Sequence, residues 1–333
     1  MKNEYVYVTI LIMDDANLNI IIDCDPGIDD AIAIATLLSE RANSVMLALA
    51  SYGNVSLEKT ARNCAALMAL FNSEAPVVRG AEKPAPGNSA YEDASNVHGG
   101  DGLGGLYENG SFINPLRSRG LRAHFTGAPP DAKSYIETVY NAIISKGRVD
   151  YITLGPLTNL SELIKARPDA VGHIRRVVTM GGGFARGNVT PHAEFNIYCD
   201  AESAANVFSA FPDITLVPLD VTESVAFDAT GITAITSAAT PVATVMAGIL
   251  EANYKLCAAF GQSGAVMHDA TAVLAYLHPE LFEFRTCGVR VDCQTDYGKT
   301  TIKEDGANIK LAVNTQPKRV LELITKSILG FDA

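Results

Sequence analysis

The sequence predicts an α/β fold: a Rossmann-like, open and mostly parallel sheet flanked by helices, in a single large domain. Three observations predict it. Short branched apolar runs recur without polar alternation, as in strands buried on both faces. Stretches with helical spacing separate these runs, so strands and helices alternate. Several runs also end in glycine-bearing turns that lead into a helix, where open α/β sheets place their ligands. The 333 residues, 48% of them hydrophobic, supply enough apolar surface for one such core. No internal repeat or linker-like tract marks a second domain boundary.

Residues 1–18 read as an N-terminal extension and 19–333 as the α/β domain. Tyr5 to Met13 is apolar but too short to span a bilayer, and no small-residue cleavage site follows it. Asn19 to Asp23 is the first buried strand, and Pro26-Gly27 punctuates it before Asp29 opens a helix. That helix alternates alanine and isoleucine through Ala31 to Ile34, so it should be buried nearly all round. Ser44 to Ala50 is a second strand, and its turn at Tyr52-Gly53-Asn54 delivers Asn54 to the same edge. A helical pattern follows from Leu57 to Phe71, then a short strand from Pro76 to Arg79.

Residues 80–106 read as a long loop, a length usually associated with function or disorder. Gly100, Gly102 and Gly105 formally match the dinucleotide fingerprint, but no strand precedes them, so that reading is rejected. His98 in this loop either faces a ligand or anchors the chain.

A helix capped by Asp131 is expected up to Lys146, then a strand from Tyr151 to Leu154. Gly155-Pro156 stops the strand, and Thr158-Asn159 can cap a helix running to Ala166. Arg175 to Met180 repeats the pattern with Gly181 to Gly183 behind it, where glycine lets backbone approach a ligand. In the stretch GNVTPHAEFNIYCD, Asn188, Glu194 and Asn196 are polar among apolar neighbours. If the piece is extended, Glu194 and Asn196 point one way around Phe195; otherwise they cap turns. Helix Ala201 to Phe211 and strand Ile214 to Pro218 follow. Pro241 to Phe260 is a long helix, broken by Gly261 to Gly264, and His268-Asp269 heads the apolar segment Ala270 to Leu277, with Asp269 a candidate cap. Phe284 to Val291 and Ile309 to Val313 are late strands, and Lys318 to Leu329 is a closing helix.

A net charge of -11 and a pI near 5.0 argue against nucleic acid or an anionic membrane as partner, because both require clustered Lys and Arg. Six scattered cysteines with no CxxC pair exclude a zinc ribbon or thioredoxin motif and point to a reduced, cytoplasmic protein.

The chemistry is concentrated in NIIIDCDPGIDDAIAI, where Asp23, Asp25, Asp29 and Asp30 place four carboxylates within eight residues. If Asp25, Asp30 and Asp269 converge at one strand-end crevice, each pair about 4 Å apart repels by roughly 4 kcal/mol at an effective dielectric near 20. Either one carboxyl takes a proton or a cation sits among them, and an all-oxygen set suits Ca²⁺ or Mg²⁺ better than zinc. Calcium is favoured, since backbone carbonyls and diol oxygens can complete its looser shell. The D-x-D of Asp23 and Asp25 alone also suits a haloacid-dehalogenase-type phosphatase with Asp23 as nucleophile, although Gly27 replaces its usual Thr or Val. An EF-hand fits less well, because a strand precedes the acids and the loop glycine and terminal Glu spacing are missing.

Taken in order, DCDPGIDDAIAI, the Gly53-Asn54 turn, VHG, GPLTN, MGGG, GNVTPHAEFNIYCD and HD resemble the calcium-dependent nucleoside hydrolases, from about Ile20 to the C-terminus. The resemblance implies cleavage of the N-glycosidic bond of ribonucleosides. It implies that Asp25, Asp30, Asp269 and the carbonyl of Leu154 ligate Ca²⁺, with Asp25 also the base that activates water. It places Asp29 and Asn196 on the ribose 2′-hydroxyl, Asn54 and Asp269 on the 3′ side, and Asn188 and Glu194 on the 5′-hydroxyl. Met180 would pack beneath the sugar, His268 would protonate the leaving base, and His98 would lie near the base pocket. Homodimers or homotetramers are implied as well. Ala270 stands where many relatives have proline, and the absence of tryptophan removes the Trp-stacked pocket of the purine-specific branch. Tyr254 and Phe260 are candidates for the base side. A nucleoside-binding protein without turnover is the alternative outside enzymology.

Overall fold

The branched run Ile20–Cys24 forms β1, and every residue in it is buried. In the computed structural model, which describes residues 18–85, 91–112, 114, 132–303 and 305–332, this strand lies inside a nine-stranded sheet. All but the last residue of the expected extension over residues 1–18, and the Asp131 cap, lie outside the described residues. The other strands are β2 (Val45–Ala50), β3 (Val77–Arg79), β4 (Val149–Thr153), β5 (Ile174–Met180), β6 (Ile214–Val217), β7 (Ala226–Phe227), β8 (Ala265–Val266), β9 (Phe282–Val291), β10 (Thr300–Lys303) and β11 (Ile309–Thr315). The large sheet runs β10-β9-β11-β6-β5-β4-β1-β2-β3. It is parallel from β3 to β11, and β9 alone runs against the others, pairing antiparallel with β11 on one side and β10 on the other.

Alternation along β1 divides the core into two layers. Ile20 and Ile22 pack with the helices Ile28–Arg41, Pro241–Ala259, His268–Leu277 and Pro317–Leu329, while Ile21 packs with Ala132–Lys146, Thr158–Ala166 and Ala201–Ala210. The helix Ile28–Arg41 is buried continuously from Ile28 to Leu38, as its Ala/Ile composition predicts. Expected and observed elements agree to within a residue or two. The exceptions include the short helices Ser95–His98, Phe195–Cys199, Leu219–Thr222 and Ala229–Thr236, the β7–β8 pair, and β10, none of which the sequence pattern indicated. Two-residue strands show no periodicity, and TTIK at the sheet edge is mostly polar to the eye.

Candidate active site

β1 and β4 are neighbours, yet the chain progresses outward through β2 and β3 on one side and through β5 and β6 on the other. This reversal leaves a crevice at the carboxyl ends of β1 and β4. Asp25 follows β1 there. Its carboxyl is boxed between glycines: a Cβ at Gly53 would lie 2.0 Å from Oδ2, and one at Gly155 2.4 Å from Oδ1. Asn54 donates its backbone N–H to Asp25 Oδ2 at 2.8 Å, and its side-chain Nδ2 to Asp25 O and to Asp30 Oδ2, each at 3.0 Å. Asp30 also accepts from the backbone N–H groups of Gly27 at 3.0 Å and Asp25 at 3.2 Å, tying the first turn of its helix to the strand end. The carboxyls of Asp30 and Asp269 are close enough that each shifts the other's titration. Asp269 N–H donates to Asp29 Oδ2 at 2.7 Å, while Asp29 Oδ1 is buried with no hydrogen-bond partner among the described residues.

Asp25, Asp30 and Asp269 therefore meet, as the alternating pattern allowed, and Asp29 joins them. Burial, and then repulsion from Asp30, pushes Asp25 well above the usual carboxylate range. Burial likewise raises Asp269, with Asp30 and Asp29 adding to the effect. Asp29 is pushed up to about 8 by burial, against the stabilising N–H of Asp269. Asp30 is raised by burial against its three N–H donors.

Asp29, Asn54, His98, Leu154, Met180, Asn188, Glu194, Asn196, His268 and Asp269 line one cavity of about 170 Å³. Asn196 Nδ2 donates to the Leu154 carbonyl at 2.7 Å and to the Met180 carbonyl at 3.3 Å, joining the ends of β4 and β5. Glu194 caps the helix Phe195–Cys199: its oxygens accept from Asn196 N, Ile197 N and Gly182 N at 2.9 to 3.1 Å. The extended reading of this piece is thus replaced by a cap followed by a helical turn. That conformation still directs both side chains to one cavity, because N-cap and N2 flank a single helix start. Asn188 Oδ1 accepts from Phe195 N at 2.9 Å and lies at the exposed rim.

His98 anchors its loop and also borders the cavity. Its Nδ1 accepts the Ile28 N–H at 3.1 Å, capping the helix that carries Asp29 and Asp30, and its ring lines the cavity. A Cβ on Gly27 would meet that ring at 2.5 Å. Burial, with a lesser contribution from His268, pulls His98 down to about 4. His268 contacts Thr222 Oγ1 through Nδ1 at 2.7 Å, and burial, then Arg186, pulls it down to about 4. Asp269 is not a cap: Met267 holds the N-cap position of that helix, and the Asp269 side chain lines the cavity instead.

A larger space of about 520 Å³ continues past His98, His268 and Asp29. One wall is the helix Pro241–Ala259 and its end, which contribute Asn253, Leu256, Cys257 and Phe260. Phe260 borders this space, whereas Tyr254 packs against the core instead. Helical spacing distinguishes them, because 253, 256, 257 and 260 share one face and 254 lies off it. Arg186 and Glu223, paired at 2.7 Å, form the opposite rim and had no sequence signal, since their partners are far apart in the chain.

Asp23 is the fourth acid of the opening stretch, and it points away from the cavity. Its oxygens accept from Tyr151 Oη at 2.6 Å and Asn159 Nδ2 at 2.8 Å, and burial holds it up at about 7. A wholly buried carboxyl with both oxygens engaged cannot be the nucleophile that the phosphatase alternative requires. The same bonds correct the expected Thr158-Asn159 cap. Leu157 is the N-cap, with Asn159 bonded to Asp23 and Ala81 N, and Thr158 to Asp200.

Among the described residues, no three His, Cys, Asp or Glu side chains are disposed as a metal-ligand group. The donor chemistry of the floor nevertheless fits a hard cation. Its carboxyls supply only oxygen and are buried and mutually repelling, and Leu154 lines the same cavity as Asp29 and Asp269.

Residues 20–322 match the family model described as inosine-uridine preferring nucleoside hydrolase. The chain is 34% identical over 309 residues to a non-specific ribonucleoside hydrolase, RihC, of Shigella boydii serotype 18, covering 90% of this chain and 95% of that one. The RihC of Klebsiella pneumoniae is 34% identical over 306 residues, covering 89% and 93%. Among solved structures, a plant nucleoside hydrolase superposes with a TM-score of 0.82 at 26% identity, covering 94% of this chain and 99% of its own. A purine-preferring ribonucleoside hydrolase from Gardnerella vaginalis shares the fold, with a TM-score of 0.83 at 23% identity over 94% and 99%.

Proposed function

The chain belongs to the inosine-uridine preferring nucleoside hydrolase family, and on that premise we propose how its residues do the work. It is a nucleoside N-ribohydrolase: it cleaves the N-glycosidic bond of ribonucleosides to free base and ribose. The observation that carries the reading is the convergence of Asp25, Asp29, Asp30 and Asp269 with Asn54 and Asn196 at the β1–β4 crevice.

As the C–N bond breaks, its electron pair leaves with the base and the ribosyl group becomes oxocarbenium-like. Fixed carboxylates and amides around the sugar stabilise that cation more than the neutral substrate. Asp29 Oδ1, a buried acceptor without a donor among the described residues, suits a sugar hydroxyl. Asp29 and Asn196 take the 2′ side, Asn54 and Asp269 the 3′ side, Asn188 and Glu194 the 5′-hydroxyl, with Met180 beneath. Asp25, Asp30, Asp269 and the Leu154 carbonyl would hold Ca²⁺, which when bound supplies a fixed positive charge that orients the diol and acidifies a nearby water. Asp25 takes one proton of the attacking water, whose oxygen bonds to C1′, and later returns that proton to solvent. Burial raises Asp25 and so strengthens it as a base once ionised. His268 faces the departing base. Held down to about 4, its ring is uncharged at neutral pH and acts as a hydrogen-bond donor to the base.

The base side accommodates purines and pyrimidines alike: its space is about 520 Å³, and no tryptophan exists in the chain to stack on purines. The reading includes a cytoplasmic homodimer or homotetramer acting in nucleoside salvage, which gel filtration of purified protein and fractionated cells would check. Among the described residues, no helix is long and apolar enough to cross a membrane.

The decisive assay measures ribose released from inosine, uridine, cytidine and p-nitrophenyl ribofuranoside, with and without chelator. Turnover of several nucleosides that falls on chelation and returns with Ca²⁺ is expected. Asp25→Ala should abolish it, and His268→Ala should lower kcat on nucleosides by about 10²- to 10⁴-fold. Near-normal turnover by Asp25→Ala would sink the assignment, and binding without release would leave a nucleoside-binding protein.

A further inference from the structure

Thr222 lines neither cavity, yet it holds a residue that lines both. It ends the short helix Leu219–Thr222, is wholly buried, and places Oγ1 2.7 Å from His268 Nδ1. Among the described residues this is the hydroxyl's one hydrogen bond. Backbone bonds fix the two partners in one frame. Val225 N–H donates to the Thr222 carbonyl at 3.0 Å, Met267 N–H donates to the Val225 carbonyl at 2.8 Å, and β7 pairs with β8 immediately beyond.

The direction of the side-chain bond follows from burial. A buried hydroxyl proton without an acceptor forfeits about 1–3 kcal/mol, whereas a hydroxyl oxygen loses little by accepting nothing. Thr222 therefore donates and Nδ1 accepts. A neutral imidazole carries one ring proton, so it then lies on Nε2, the nitrogen left for a ligand in the cavity.

We infer that Thr222 is a positioning residue for the reaction: it holds His268 in the Nε2–H tautomer, so that this proton is offered to the departing base. The inference rests on the role given to His268 in the proposed function. Nothing is transferred to or from Thr222. Without its hydroxyl, the ring can place its proton on Nδ1 and present a lone pair to the base, which repels the developing negative charge.

The test uses the full chain with Ca²⁺ and compares substrates by their need for a donor. Inosine and uridine lose a poorly stabilised base, whereas p-nitrophenolate spreads its own charge. Thr222→Val should lower kcat on both nucleosides by about 10- to 100-fold, with KM little changed, and p-nitrophenyl ribofuranoside turnover by less than about 3-fold. Thr222→Ser should restore nucleoside turnover to within about 3-fold of the parent. In parent protein labelled with ¹⁵N-histidine, the resonance absent from His268→Ala should show an unprotonated Nδ1, a readout independent of whether Thr222→Val folds. Equal losses on all substrates, no loss on any, or a protonated Nδ1 would overturn the inference while leaving a substrate-selective His268→Ala untouched. If His268→Ala itself fails to discriminate between the substrates, the leaving-group role falls and this inference falls with it.

Discussion

Asp25 shows how closely single residues are fitted here. The glycines beside it leave room only for hydrogen: at Gly155 an added Cβ would stand 2.4 Å from Asp25 Oδ1 and 3.1 Å from Ser51 Oγ. Gly155→Ala should therefore displace the Asp25 carboxyl and cut kcat by about 10²-fold or more, since small misplacement of a catalytic group carries that penalty. The far-UV spectrum should stay unchanged, and parental turnover would contradict the proposed role of Asp25. At this scale the sequence was partly legible. It identified which acids and amides to watch, because they punctuate strand ends. It did not show that Asp23 turns inward to Tyr151 and Asn159, or that Thr158 and Asn159 are spent on long-range bonds instead of a cap. The bonds Asp23–Tyr151, Asp23–Asn159 and Tyr52–Thr158 each span more than a hundred positions, and residue type alone does not reveal them.

At the scale of elements, the loop bearing His98 has an organising centre of its own. Asp101 accepts backbone N–H bonds from Leu103, Gly105, Tyr107 and Glu108 at 2.8 to 3.1 Å. Its glycines thus wind the chain around a carboxylate instead of a dinucleotide phosphate, which gives a structural reason for the rejected GxGxxG match. Asp101→Ala should orphan those donors, cost about 2–4 kcal/mol in denaturant unfolding, and raise KM for nucleosides through a less fixed His98. A stable variant with parental KM would show the loop to be independent of Asp101. Long elements were legible from their periodicity, and so was the loop's importance. The β7–β8 pair was not, although it frames His268, because two residues a side leave no pattern to read.

Across the whole molecule, the reversal of strand order at β1 and β4 places a dense set of buried acids in the centre of the protein. Its electrostatic consequence has a definite sign. Burial lifts Asp23 to about 7 and Asp29 to about 8 from 3.8. A carboxyl raised in the folded state stabilises the fold fully below its unfolded value, and that contribution is lost as pH rises through the folded one. The melting temperature of chelated protein should therefore fall between about pH 4 and pH 8, the interval bounded by those values, and millimolar Ca²⁺ should reduce the fall. A flat profile without the ion would contradict the burial of these acids. Fold class and sheet direction were the most legible features of all, because unbroken apolar runs alternating with helices admit few other architectures.

The bond from Asp269 N–H to Asp29 Oδ2 closes a separation of 240 residues, with the helices carrying the two packed side by side. A chain emerging from the ribosome has most of its parallel strands before it has this contact. Ribosidase activity is consequently a late event in the protein's own history. On refolding from denaturant, recovery of turnover should trail recovery of helical circular dichroism, since contacts this distant in sequence are the slowest to form. Coincident recovery would show that the two ends of the chain meet early.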